Sequence, residues 1–493
     1  MTVMLERFAS HSFILFGVTL LVYSALSIFF SSPVGMTVTN GDEPHYLIAA
    51  HSLYYDHDFK TSNNYHNQDY RAFYDAEKLD QHLFNFKGRL VPYHGMLGMP
   101  LLIMLPYGLA GRIGVLVWLS ILMAAALTLL YRVVRVYVPA NIAFATVLFC
   151  GLTYPVVIYS HQIYPDMVAF VITTFVLTQI IAPTQRNERM TALLVGTALG
   201  MLPHFHFKFA VLAAMLYLFF LWAQFQKPSF LRIRAANFSL PPTGEGEAMH
   251  PSKNSFFFTA FAWSLGPILL LGLAFVAWII HVYGEFSLAV FISPSQGAFA
   301  NGRFDGIPGL WFDQEFGLFF FAPFYIMALF GAWSFWRNPA TRAQAFFLTL
   351  IYVAQHLLSG SFYDWEGGLS PAPRYLVAVL PILIVFAAKG VADAWARRQW
   401  SQPAGLAFGT LWITRLILFV RRNWMFGYHK GSNTILRDHY HLDWLLPLLP
   451  SFKNPNWAGA YLRLGVLIVG FVALWLIGAW VNRRLFASQT AVK

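Results

Sequence analysis

Two adjacent carboxylates, Asp42 and Glu43, stand in the segment Asn40-Gly-Asp-Glu-Pro-His-Tyr-Leu47, just after the first long apolar run. Pro44 suits the first turn of a helix and acids suit its positive end, so the segment predicts a helix headed by these two residues. A carboxylate pinned at a membrane surface, at the mouth of a helical bundle, can act as a general base. Asp is also a favoured helix cap, so both roles stay open for Asp42. Glu43 fits a partner of the helix dipole better than a second base. Further chemistry-bearing residues recur down the chain: His45, Tyr164-Pro-Asp166, His204-Phe-His-Phe-Lys208, Asp313 with Glu315, Asp364-Trp-Glu366, and Arg374. Asp166 is either a turn acid or a group that binds substrate or orients a His or Arg. Arg374 is either an interfacial anchor or an anion ligand. A lone Lys208 in an apolar setting calls for a partner. His204 and His206, at i and i+2, suit hydrogen bonding, and a zinc site would need further ligands. Trp311, Phe312, Trp365 and Trp444 can stack on sugar rings or sit in an interfacial belt.

The elements that must position these residues are membrane spans. Of 493 residues, 57% are hydrophobic and 11% are charged, where a soluble domain carries about 25% charged residues. The single cysteine, Cys150, excludes an intrachain disulfide and a Cys-based zinc site. The net charge of +11 is explained by basic loops on one side of a membrane rather than by nucleic-acid binding. We expect an all-α polytopic membrane protein of about twelve spans. These are His11–Phe30 (uncleaved), Ile113–Leu130, Ala140–Tyr159, Met167–Ala182, Ala192–Leu202, Phe209–Phe225, Phe256–Ile280, Phe316–Trp336, Ala343–Leu358, Tyr375–Ala388, Ala404–Val420 and Tyr461–Val481. Gly95–Gly111, broken by Gly98, Pro100, Pro106 and Gly108, is expected to lie in the interface.

This count has an internal check. With both termini cytoplasmic, the inside turns carry Arg132/Arg135, Arg186/Arg189, the basic loop 227–255, Arg337/Arg342, Arg397/Arg398 and Arg483/Arg484. Of the 22 acids only Glu6, Glu188, Glu245, Glu247 and Asp393 fall inside. Counting Gly95–Gly111 as a span would invert every later loop. The candidate residues then share the outer side, together with a large first loop (31–112), a second loop (281–315) and an aromatic, basic segment (421–456). Residues 1–390 form the main module and 391–493 a set of C-terminal helices.

The motifs resemble those of GT-C glycosyltransferases, in the branch of protein O-mannosyltransferases and aminoarabinose transferases. Asn40-Gly-Asp-Glu-Pro-His-Tyr46 is similar to their Asp-Glu motif, and Tyr164-Pro-Asp166 to their acidic turn. Leu194–Lys208 is similar to their Gly-Leu-Ala…Lys pattern, and Pro373-Arg-Tyr-Leu…Pro381 to their late Arg-Tyr-Leu…Pro motif. The resemblance covers the chain to about Gly390. It implies an inverting transfer of a sugar from a polyprenyl-phosphate donor to an acceptor hydroxyl on the extracytoplasmic face of a bacterial inner membrane. The acceptor is a glycan, lipid or protein. Asp42 would be the base, with Glu43 beside it. Arg374, Lys208, His204 and His206 would meet the lipid phosphate. His45, Asp166, Asp313, Glu315, Asp364, Glu366 and Trp365 would hold or orient acceptor and sugar. No cofactor is implied. Asp56-His-Asp58 resembles the Asp-x-Asp metal motif of nucleotide-sugar enzymes and keeps a divalent ion as the alternative. A transporter or flippase of polyprenyl-linked glycans is the rival, although such carriers place ionisable residues in mid-membrane.

Overall fold

Helix starts, rather than helix lengths, decide where the chemistry sits. In the computed structural model, residues 2–31, 41–74, 78–92, 96–183, 187–226, 253–286, 304–362, 364–368, 370–420, 432–453 and 457–490 are described. The expectations for Asn40, Gln185, Arg186, loop 227–252, residues 287–303, 421–431 and 454–456 lie outside them.

The chain is mostly helical. Helix α1 spans Thr2–Ser31, and α2, Glu43–His51, follows with Pro44 in its first turn. A short α3, Ser62–His66, lies in the first loop. The same loop contains one short hairpin in an otherwise helical chain: β1 (Leu83–Phe86) pairs antiparallel with β2 (Arg89–Pro92). Its two-residue turn has Lys87 at φ 51° and Gly88 at φ 83°, the positive values a tight hairpin turn requires.

Helix α4, Gly98–Val134, joins the expected interfacial helix and second span in one element. It breaks at the predicted boundary, where Ala110 has φ −146° and Gly111 has φ 58°, ψ −148°. Gly111 occupies a conformation that a side chain would not tolerate, and Pro106 lies about one turn earlier. The expected third span ends early: α5, Ala140–Leu152, stops before Pro155, and α6, Val156–Tyr159, is a single turn. Proline cannot donate to the helix, and the residue before it is pushed toward extended backbone. Next come α7 (Pro165–Ile181), α8 (Glu188–Phe205) and α9 (Phe209–Phe225). Helix α8 outruns its expected bounds because the Asn187 side chain accepts from Arg189 and Met190 N–H groups and starts it early.

The long α10, Lys253–Tyr283, packs along α8. The expected span Phe316–Trp336 is broken at Pro323. After α11 (Gly306–Phe312), α12 (Leu318–Phe321) gives way to a 3-10 turn before α13, Ile326–Arg337. Helix α14 covers Arg342–Gly360, and a 3-10 turn, Arg374–Val379, leads into α15, Leu380–Ala396. Helices α13 and α15 pack closely because Gly331 and Gly390 leave no Cβ between their backbones. Helices α16 (Ser401–Phe419) and α17 (Trp457–Thr490) close the chain.

Among the described residues, five stretches are long and apolar enough to cross a membrane: Ser10–Phe29, Gly98–Val134, Phe257–Tyr283, Arg374–Ala396 and Gly459–Trp480. Three shorter apolar helices, α5, α7 and α9, accompany them. The protein is therefore membrane-embedded.

Candidate active site

The starts of α7 and α9 and the 3-10 turn before α15 pack together, and the start of α2 joins them through its side chain. Tyr164 is extended and Pro165 opens α7, which fixes Asp166 in the first turn. Lys208 is the residue before α9, and Arg374 opens its turn. Arg374 Nη2 lies 2.7 Å from Asp42 Oδ2, and Arg374 Nε donates to Asp166 Oδ2 at 3.0 Å. Lys208 Nζ lies 2.6 Å from Asp166 Oδ1. The four residues form one ionic chain, Asp42–Arg374–Asp166–Lys208, assembled from segments 42 to 374.

The chain has a buried end and an open end. The Asp166 side chain is 0% exposed, Lys208 1%, Arg374 7% and Asp42 21%. Aromatic rings screen the cations: Arg374 sits 4.3 Å over Tyr164 and Lys208 4.0 Å over Tyr375. Lys208 is enclosed between Asp166 and the rings of Tyr375 and Phe209, so it holds Asp166 and Arg374 in place. Gly367 lies against the arginine, at φ 90°, and a Cβ there would meet the Arg374 Cβ at 3.0 Å.

Asp42 makes no side-chain cap bond to α2, so its carboxylate is given to Arg374 instead. Glu43 is buried at 1% exposure. Its Oε1 accepts from Ile163 N–H at 2.7 Å, and Arg112 Nη2 lies 3.8 Å from Oε2. Glu43 therefore ties α2 to the turn before α7, and the neighbouring acids divide the work of anchoring and exposure.

His206 stays with the group, its Nδ1 accepting from the Lys208 backbone N–H at 3.2 Å. His204 does not. Its Nε2 is 2.9 Å from the Leu271 carbonyl on α10, and its ring meets Phe275 edge-on. His45 points to the first loop, with Nδ1 2.6 Å from Tyr65 Oη and its ring 3.8 Å from that of His82.

The remaining acids form a second group. Asp313 Oδ1 accepts from Glu315 and Phe316 N–H, and Oδ2 accepts from Phe452 N–H at 2.6 Å. Burial pushes its carboxyl up to about 7 while these three N–H groups pull it down. Glu315 is buried beside it. Glu366 pairs with Lys453, and Lys453 also feels the charges of Asp364 and Glu315. Trp365 packs over Gly306 and Gly309 and meets Phe316 edge-on. It is buried.

Asp56 accepts from Asn63 and Asn64, and Asp58 from Ser52 Oγ and Lys60 N–H, so both carboxylates brace their own loop. Among the described residues, no group of three or more His, Cys, Asp or Glu is arranged to hold a metal.

Arg112 and Lys453 belong to these groups and were missed from the sequence. Arg112 had a signal, being a single cation in the apolar stretch 95–130. Lys453 had none, because nothing local ties it to a residue 87 positions earlier. No protein-family model matches this chain, and no curated protein does, so its chemistry has to be argued from these residues.

Proposed function

We propose that this protein is an inverting glycosyltransferase that moves a sugar from a polyprenyl-phosphate donor to an acceptor hydroxyl, with Asp42 as general base. The observation that carries this reading is the polarity of the ionic chain. A buried Asp166–Lys208 pair fixes Arg374, and Arg374 holds the partly exposed Asp42 by a 2.7 Å contact. Preorganisation of this kind favours a reacting group over a surface ion pair.

In the transfer, the acceptor oxygen gives its proton to Asp42 and forms a bond to the anomeric carbon. The bond from that carbon to the phosphate oxygen breaks, and the lipid phosphate leaves with the electron pair. Attack from the face opposite the leaving group inverts the configuration. Arg374 uses two of its N–H groups on Asp42 and Asp166. A guanidinium has five, and those left over can meet the charge that grows on the phosphate. Lys208 and Asp166 are positioning residues. The twelve-span arrangement, cytoplasmic termini and an extracytoplasmic site in a bacterial inner membrane belong to this proposal and are supported by the one-sided distribution of Arg pairs and acids.

The test uses the full chain in proteoliposomes with polyprenyl-phosphate sugars radiolabelled in the sugar, supplied together with membrane extract as acceptor. The wild type should release label from the lipid, and Asp42→Asn should be slower by about 10²- to 10⁴-fold, the usual share of general-base catalysis. Unchanged release in that variant removes Asp42 as base. Transbilayer movement of intact donor without cleavage would favour the transporter.

A further inference from the structure

The segment 432–453 follows α16 in the chain and is tied to two loops at once. Gln314 fixes its body: the Gln314 backbone N–H donates to the Pro450 carbonyl at 2.9 Å, and its side-chain amide donates to the Leu446 and Leu449 carbonyls at 3.3 Å. Its last two residues then part. Phe452 N–H donates to Asp313 Oδ2 at 2.6 Å, and the next side chain, Lys453, pairs with Glu366. The Lys453 side chain is 37% exposed and that of Glu366 6%. The buried carboxylate therefore depends on the ammonium more than the ammonium depends on it, because a buried charge without its partner is costly. Lys453 also feels Asp364, Glu315 and Asp313, so its removal leaves Glu366 buried among like charges.

Glu366 belongs to a closed turn. Gly367 N–H donates to the Asp364 carbonyl at 2.9 Å, and Ser370 Oγ donates to the Gly367 carbonyl at 2.7 Å. Trp365 pins one side of this turn on Gly306 and Gly309 of α11. The other side bears on the ionic chain. A Cβ at Gly367 would stand 3.0 Å from Arg374 Cβ and 3.4 Å from its Cδ, so the turn backbone lies against the arginine stem. That stem carries the guanidinium that holds Asp42 at 2.7 Å. A displacement of Glu366 is passed through Gly367 to the open end of the site.

We propose that Lys453 is a positioning residue: through Glu366 and the Gly367 turn it sets where the Arg374 guanidinium stands, and segment 432–453 is a strap that holds the site assembled. Its part in sugar transfer rests on the transferase reading of Arg374 and Asp42, whereas the mechanical link stands apart from it. Without Lys453, the Glu366 carboxyl takes up a proton or turns toward water, and either change frees the turn from the strap.

Two readouts separate the link from the chemistry. The full chain in lipid nanodiscs is treated with phenylglyoxal, which modifies guanidinium groups, and mass spectrometry follows Arg374 and, as an internal control on α4, Arg112. Lys453→Met and Glu366→Gln should each speed modification of Arg374 several-fold and leave Arg112 unchanged, and Lys453→Arg should restore the slow rate. An unchanged rate at Arg374, an equal rise at Arg112, or no rescue by arginine overturns the proposal, whether or not the protein transfers sugar. In the sugar-release assay Lys453→Met should lower kcat by about 10-fold, since a misplacement of about 1 Å can cost 10²-fold, with a smaller change in KM for the donor. A wild-type kcat in a variant whose Arg374 is modified faster overturns the strap's part in transfer. Absence of release from the wild type removes the transferase reading and leaves the labelling to decide the link.

Discussion

Replacing Asp166 by Asn keeps the side chain's size and removes one charge from the buried end of the ionic chain. The carboxylate is 0% exposed, 2.6 Å from the Lys208 ammonium and 3.0 Å from Arg374 Nε. In Asp166→Asn, Lys208 is left without a counter-ion in apolar surroundings and Arg374 keeps only Asp42. Removing one member of a buried ion pair costs about 3–5 kcal/mol, most of it from the stranded partner charge. Asp42→Asn differs, because Arg374 and Lys208 both keep Asp166 and the lost carboxylate is 21% exposed. Its cost should be smaller, about 1–3 kcal/mol, because the buried Arg374 loses one partner and keeps the other. Adding Lys208→Met to Asp166→Asn removes the stranded ammonium, so the double variant should be more stable than the two single losses added, by about 1–3 kcal/mol. Unfolding in mixed micelles by SDS titration, followed by tryptophan fluorescence, reads the wild type, the three single variants Asp166→Asn, Asp42→Asn and Lys208→Met, and the double variant. If Asp166→Asn costs no more than Asp42→Asn, or if the single losses add, the buried end does not anchor the open end and the reasoning fails.

Gly367→Ala places a Cβ at φ 90°, 3.0 Å from the Arg374 Cβ. It should cost about 1–3 kcal/mol through backbone strain, measured by the same titration, and should lower sugar release by displacing Arg374. Asp313→Asn sets an amide N–H₂ or a weaker acceptor against the N–H groups of Glu315, Phe316 and Phe452, at a cost of about 1–3 kcal/mol. The sign of its pH effect follows from the raised carboxyl. Between the ordinary value of 3.8 and about 7 the folded protein holds this proton more tightly than the unfolded chain, so the group removes stability as pH rises through that window. Asp313→Asn should flatten that decline in SDS titrations run from pH 4 to 8.

The residues that meet in the ionic chain were legible one by one, each as an ionisable group at the end of an apolar run, where an unpaired charge is costly. Their pairing was not legible, because it depends on which helix starts pack together. The exposed and buried acids could not be told apart at 42 and 43 either: both head the same helix, and only the packing of the turn at Ile163 takes Glu43 inside. His204 was misplaced because α8 runs through Pro203 and turns that ring toward Leu271. The hairpin escaped notice because Lys87-Gly88 is a weaker turn signal than Asn-Gly. The boundary at Gly111 was foreseen from its glycines and prolines, whereas the breaks at Pro155 and Pro323 were absorbed into apolar runs that hydropathy reads as continuous.

The most direct test is a cryo-EM structure of the full chain in nanodiscs with polyprenyl phosphate bound. The account predicts phosphate density within hydrogen-bonding distance of the Arg374 guanidinium, on the side where Asp42 is open. Phosphate density elsewhere in the bundle, out of reach of both Arg374 and Asp42, would contradict it.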